Sequence, residues 1–95
     1  MIINASIQVV PLGLEKSDSY PLIDGIISDI QNSGMKCIVG AFETVLEGPY
    51  EQVQNLIRNL QDKCFKNKEC QFLVYTKLQF CGGKDILLED KKLDR

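Results

Sequence analysis

The amino-acid sequence predicts an α+β sandwich, a four-stranded antiparallel sheet with two helices on one face. Residues 3–10, INASIQVV, alternate apolar and polar side chains as a half-buried strand does. Two later segments, 21–32 and 48–67, instead repeat apolar residues at helical spacing, each with a proline in its first turn. Three further strand-like runs, 35–42, 43–47 and 70–80, complete the order β-α-β-β-α-β.

Each element has its own local reasons. In the first strand Ile3, Ala5, Ile7 and Val9 share one side, and Asn4, Ser6 and Gln8 the other. PLGLEKSDS reads as a loop, and Tyr20-Pro21 opens the first helix, where the missing proline N–H does no harm. Leu22, Ile23, Ile26, Ile27 and Ile30 form its apolar stripe, and Gly34 suits a left-handed residue after its end. Residues 35–42 and 43–47 make two strands with a tight connection near 40–43. The second helix has Gly48 as its cap, Pro49 in its first turn and Glu51 near the positive end of its dipole. Val53, Leu56, Ile57, Leu60, Cys64 and Phe65 mark its buried face. CQFLVYTKLQF is the last long strand, CGGKD a turn-forming link, and ILLEDKKLDR one helical turn or an arm onto a neighbour. Phe65, Phe72 and Phe80 read as core or interface, Tyr50 as a surface staple and Met35 as core filler. The economical arrangement is the ferredoxin-like split βαβ, with helices over one sheet face and the other face open to water, a ligand or another subunit.

The chain, 1–95, is expected to be one domain with one core. A domain this small buries only about 60–65% of its surface, so a dimer or a higher assembly is expected. Thirteen acids against eleven bases give a net charge of −2 with scattered bases, which argues against nucleic acid as a partner. No run of about 18 apolar residues occurs and MIINASIQVV lacks a signal-like pattern, so membrane insertion is not expected and a cytoplasmic location is. The four cysteines, at 37, 64, 70 and 81, have no finger-like spacing and no histidine beside them, so free thiols are expected and no metal or cofactor. The absent histidine also removes the commonest general base; with no nucleophile–base pair or phosphate loop, an enzyme is not expected.

VVPLG at 9–13, YPLIDGIISDIQNSG at 20–34, ETVLEG at 43–48 and LQFCGGKD at 78–85 together resemble the thiamine-binding family, including its YkoF-like members. The resemblance runs from about residue 3 to 85. It implies a non-enzymatic carrier or sensor of thiamine or its hydroxymethylpyrimidine part, built from ferredoxin-like units that assemble as dimers or tetramers. The CGG at 81–83 is similar to the Cys-Pro-Gly turn of YkoF-like domains, with Gly82 where a proline is expected.

Thiamine joins an aminopyrimidine to a cationic thiazolium, so its site asks for acceptors, a donor, rings and negative charge. Glu43 and Glu47 share a strand face with Val45 and supply the charge; otherwise they form a solvated strand edge, with Glu47 favouring the following helix dipole. Thr44 points the other way, toward the pyrimidine or simply into a strand. Ser6 and Gln8 are candidates because polar residues on a central strand need partners, in a ligand, water or a neighbouring subunit. Phe42 and Tyr20 are the candidate stacking rings. The competing function is a ferredoxin-like regulatory module that binds another small molecule or a protein partner at an oligomer interface. RNA-recognition domains share this element order, but ETVLE lacks their basic–aromatic pattern.

Overall fold

Strand β1 (Ile2–Leu12) leads through Gly13 into helix α1 (Lys16–Gln31), and a hairpin of β2 (Lys36–Val39) and β3 (Thr44–Pro49) follows. Helix α2 (Tyr50–Lys66), β4 (Gln71–Gln79) and a 3-10 turn at Leu88–Lys91 complete the described chain. This computed structural model describes residues 1–68 and 70–91. The sheet order is β2-β3-β1-β4 with every pair antiparallel, the ferredoxin-like arrangement expected.

Strand alternation divides the sheet into two chemically different faces. Ala5 lies opposite Leu46 and Leu78, and Ile7 opposite Thr44 and Thr76, on the face that meets the helices. The core there joins Ile3, Ala5, Ile7 and Leu46 to Ile26 and Ile30 of α1 and to Val53, Ile57, Leu60 and Cys64 of α2. Ile3, Ile30, Leu46 and Val53 are the largest side chains shut off from solvent, each worth about 1.5–3 kcal/mol by burial. Lys63 of α2 pairs with Asp29 of α1 across the helix layer.

Several boundaries differ from the sequence expectation, each for a local reason. Helix α1 begins at Lys16, so Pro21 lies inside it; the ring removes only the bond that would reach the exposed Ser17, and Glu15 accepts from the Asp18 and Ser19 N–H groups at 3.0 and 2.9 Å. Strand β1 runs on through Pro11 to Leu12 because β4 pairs along that length. Strand β2 stops at Val39, and β3 starts at Thr44 and continues to Pro49, which caps α2 instead of entering its first turn. Gly48 is not a cap but a buried strand residue opposite Ile3, beneath the Met35 side chain. Gly34 has a φ of 82°, the left-handed turn expected after α1. Gly40 closes the hairpin, its N–H donating to the Glu43 carbonyl at 3.0 Å; a Cβ there would lie 2.8 Å from that oxygen.

Of the aromatic residues expected in core or interface, Phe72 packs against the core, Phe80 meets Tyr50 edge to face, and Phe65 turns outward. Met35 packs against the core as expected. Residues 85–91 form a strap across one end of the open sheet face, bonded to β1 and β3 of the same chain. Asp85 accepts from the Ile2 N–H at 2.7 Å, the Ile86 N–H donates to the Ile2 carbonyl at 2.9 Å, and the Lys91 ammonium donates to the Gln79 side-chain amide oxygen. Residues 92–95 of the tail lie outside the described residues.

All four thiols are free. Burial, with the charge of Cys70 as a smaller contribution, pushes the Cys64 thiol up. A brief iodoacetamide pulse on native protein is therefore expected to label Cys37, Cys70 and Cys81 before Cys64, read by peptide mass spectrometry; early labelling of Cys64 contradicts it. The sign of the pH effect follows: the neutral Cys64 thiol favours the fold below the ordinary thiol range, and that contribution is lost as pH rises through its folded value.

Candidate functional site

Two concave features flank the start of β3, one on each side of the sheet. The first is a cleft of about 290 Å³ on the helix side, between α1, the end of β1 and the 40–43 connection. Ile23, Ile26 and Ile27 build one wall because the α1 stripe turns them toward the sheet, and Thr44 faces them from β3. Phe42 and Glu43 stand at its mouth, since the short hairpin leaves them between strands, and Phe42 is 83% exposed. Gly40 and Ala41 at the hairpin tip and isoleucines behind them make the cleft largely apolar and open to solvent.

The second is a shallower hollow of about 260 Å³ on the open face, where Asn4, Ser6 and Glu43 meet Lys77 and Gln79. The strand register explains the gathering: Asn4 lies between Glu47 and Gln79, and Ser6 between Val45 and Lys77. The Glu43 carboxylate pairs with Lys77 at 3.4 Å, and both side chains remain partly exposed, so the pair contributes little to stability.

The seven sequence candidates thus divide. Thr44 and Phe42 meet at the cleft, and Glu43 borders both cavities. Gln8 touches the cleft by its place on β1, but strand alternation turns its side chain to the open face beside Tyr75. Ser6 belongs to the hollow. Glu47 shares the open face as expected, but its carboxylate accepts the Leu88 N–H at 2.8 Å and so anchors the strap. Tyr20 lines neither cavity and stands exposed on α1. Sequence reasoning missed Ile23, Ile26 and Ile27 as cavity wall, because a helical stripe reads first as core; Lys77 and Gln79 were missed because only β4 pairing brings them to β1.

The fold and its cleft define a ferredoxin-like α+β domain with a largely apolar concave surface on its helix side and polar groups at the mouth. The chain belongs to the thiamine-binding protein family, whose sequence model matches residues 5–93. It is 28% identical over 88 residues to the UPF0045 protein CPE1503 of Clostridium perfringens, covering 93% of this chain and 90% of that one. Among solved structures it is similar to a Thermotoga maritima protein described as one of thiamine biosynthesis or salvage, with a TM-score of 0.82, 28% identity and coverage of 96% and 95%. A Bacillus cereus domain of unknown function aligns with a TM-score of 0.81 at 25% identity, covering 96% of this chain and 86% of that one. No helix among the described residues is long and apolar enough to cross a membrane.

Proposed function

We propose that the protein binds thiamine or its hydroxymethylpyrimidine part in the cleft beside α1, and does so without catalysing a reaction. In this reading it is a cytoplasmic carrier or sensor linked to uptake of the pyrimidine precursor or to thiamine homeostasis. The observation that carries it is the construction of the cleft: an isoleucine wall, Thr44 in its lining, and Phe42 and Glu43 at the mouth. An aminopyrimidine ring suits a flat apolar slot with one hydroxyl to hydrogen-bond its nitrogens. The thiazolium, left at the mouth, suits an aromatic face and a carboxylate. Family membership and the name given to the Thermotoga neighbour support the same ligand class. Assembly as a homodimer or homotetramer belongs to this reading, because Leu12, Ile38, Leu73 and Tyr75 leave apolar surface on the open face beyond the strap.

Thermal melts with thiamine, hydroxymethylpyrimidine and unrelated nucleotides test the reading. A ligand at ~100 times its Kd adds about 2.7 kcal/mol and should raise the midpoint of a domain this size by roughly ten degrees or more. No shift with thiamine or its pyrimidine, or an equal shift with the nucleotides, overturns the proposal and favours a regulatory module for another ligand.

A further inference from the structure

We infer that two copies of this chain join through the outer edges of their β4 strands, antiparallel about a two-fold axis at Tyr75, into one sheet of eight strands, four from each copy. The interface lies at the sheet edge, away from the cleft, and does not depend on the ligand reading.

The edge itself is the first observation. Strand β4 pairs with β1 along all nine of its residues, and among the described residues no strand pairs with its other side. That side presents a row of backbone N–H and C=O groups about 30 Å long. The devices that usually blunt such an edge are few here. Strand β4 contains no proline, its register with β1 runs without a bulge, and its one charge, Lys77, pairs with Glu43 on the open face. The opposite edge, β2, has four residues and begins with Lys36, so it offers far less.

The helix side of the same edge is the second observation. A cavity of about 610 Å³ lies between the last turns of α2 and β4, lined by Cys64, Phe65, Phe72 and Val74 among others, and Phe65 beside it is 84% exposed. Phe72, Val74 and Leu78 are half-buried on this side and Thr76 is exposed. The helix layer thus stops short of the sheet edge, leaving apolar surface that a neighbouring strand and its side chains would cover.

The chain itself supplies the strand that fits. An axis at Tyr75 pairs all nine residues and keeps the helices of both copies on one side of the sheet. On the helix side Phe72 then faces Leu78 of the second copy, and Val74 faces its Thr76, with opposed Cβ atoms about 4.5–5.5 Å apart. Leu78 of the second copy so enters the Phe72 end of the cavity. On the open face Gln71 meets Gln79 and Leu73 meets Lys77, so no like charges oppose and the lysine stem covers the leucine. An axis at Lys77 would set two ammonium groups against each other, and any other axis leaves part of the strand unpaired. The seam leaves the open face uncovered, so it adds to an association there rather than replacing it.

The test is an isotope-filtered nuclear Overhauser spectrum of an equal mixture of carbon-13-labelled and unlabelled chain at about 0.5 mM, enough to populate a complex with a Kd of about 0.1 mM. A cross-peak between the Phe72 ring and the Leu78 methyl groups is expected. Within one chain the two are about 20 Å apart along β4, far beyond the reach of that effect, so the peak can arise only across the seam. Phe65→Asp and Thr76→Lys, both at exposed positions on the helix side, should each weaken association at least about tenfold, read by light scattering on dilution, with spectral dispersion reporting that the fold persists. Ile38→Lys, on the open face at the far edge, should leave the cross-peak in place. A monomer at this concentration, an oligomer without the cross-peak, or full association in Thr76→Lys overturns the proposal. Failure here is separable from failure of the thiamine reading, whose melts report on the cleft beside α1.

Discussion

Replacing Glu43 with lysine should weaken thiamine binding roughly 30-fold, about 2 kcal/mol, and should weaken hydroxymethylpyrimidine binding far less. The thiazolium carries a permanent charge that no change of pH removes, and Glu43 is the carboxylate at the mouth of the cleft. Its side chain is 38% exposed, so the attraction is screened well below its dry-protein value and a modest figure is appropriate. Glu43→Gln should lie between wild type and Glu43→Lys, because it removes the attraction without adding repulsion. Lys77, 3.4 Å away, competes for the carboxylate in the free protein, but its 77% exposure makes that bond easy to share. Glu47 is a weaker target, since its carboxylate is engaged by the Leu88 N–H. Isothermal titration with both ligands on each variant decides the matter. Equal losses for thiamine and its neutral pyrimidine would mean that Glu43 does not read charge.

Gly48→Ala should destabilise the fold by about 1–3 kcal/mol, lowering the melting midpoint by several degrees for each kcal/mol. A Cβ at this position would overlap the Met35 sulfur and lie 2.8 Å from its Cγ, so the methionine side chain has to turn away from Gly48. Position 48 is buried and paired to Ile3, and the strand backbone cannot simply move away from the core. The cause is separable by a double-mutant cycle: with Met35→Ala already present, Gly48→Ala should cost much less. Denaturant unfolding of the four proteins provides the measurement, and an unchanged penalty in the Met35→Ala background would locate the strain elsewhere.

Much of this was legible from local pattern. The alternation of residues 3–10 puts Ile3, Ala5 and Ile7 in the core and Asn4 and Ser6 on the other face, and the structure has them there. The α2 periodicity likewise placed Val53, Ile57, Leu60 and Cys64 inside. Phe65 broke the pattern because it follows Cys64 by one step, about 100° around the helix, and falls beyond the covered stripe. Neither proline holds the first-turn position that its chemistry suggests. Pro21 is tolerated deeper in α1 where the lost bond faces water, and Pro49 is held in an extended conformation at the end of β3.

The sequence by itself determined the element order, the two-faced sheet and the residues that could form a core, because these depend on side-chain periods of 2 and 3.6 that need no partner to be read. Only the tertiary structure decided which polar residues act together. Strand pairing put Lys77 and Gln79 beside Ser6 and Asn4, and the folded-back strap engaged the Glu47 carboxylate through the Leu88 N–H. The sheet itself separated Thr44 from Ser6: Ser6 lies opposite Val45 and Thr44 opposite Ile7, and successive cross-strand pairs face opposite sides. Such groupings are set by contacts between residues far apart in the chain, 82 positions in the bond from Asn4 to Ile86, which no local pattern records.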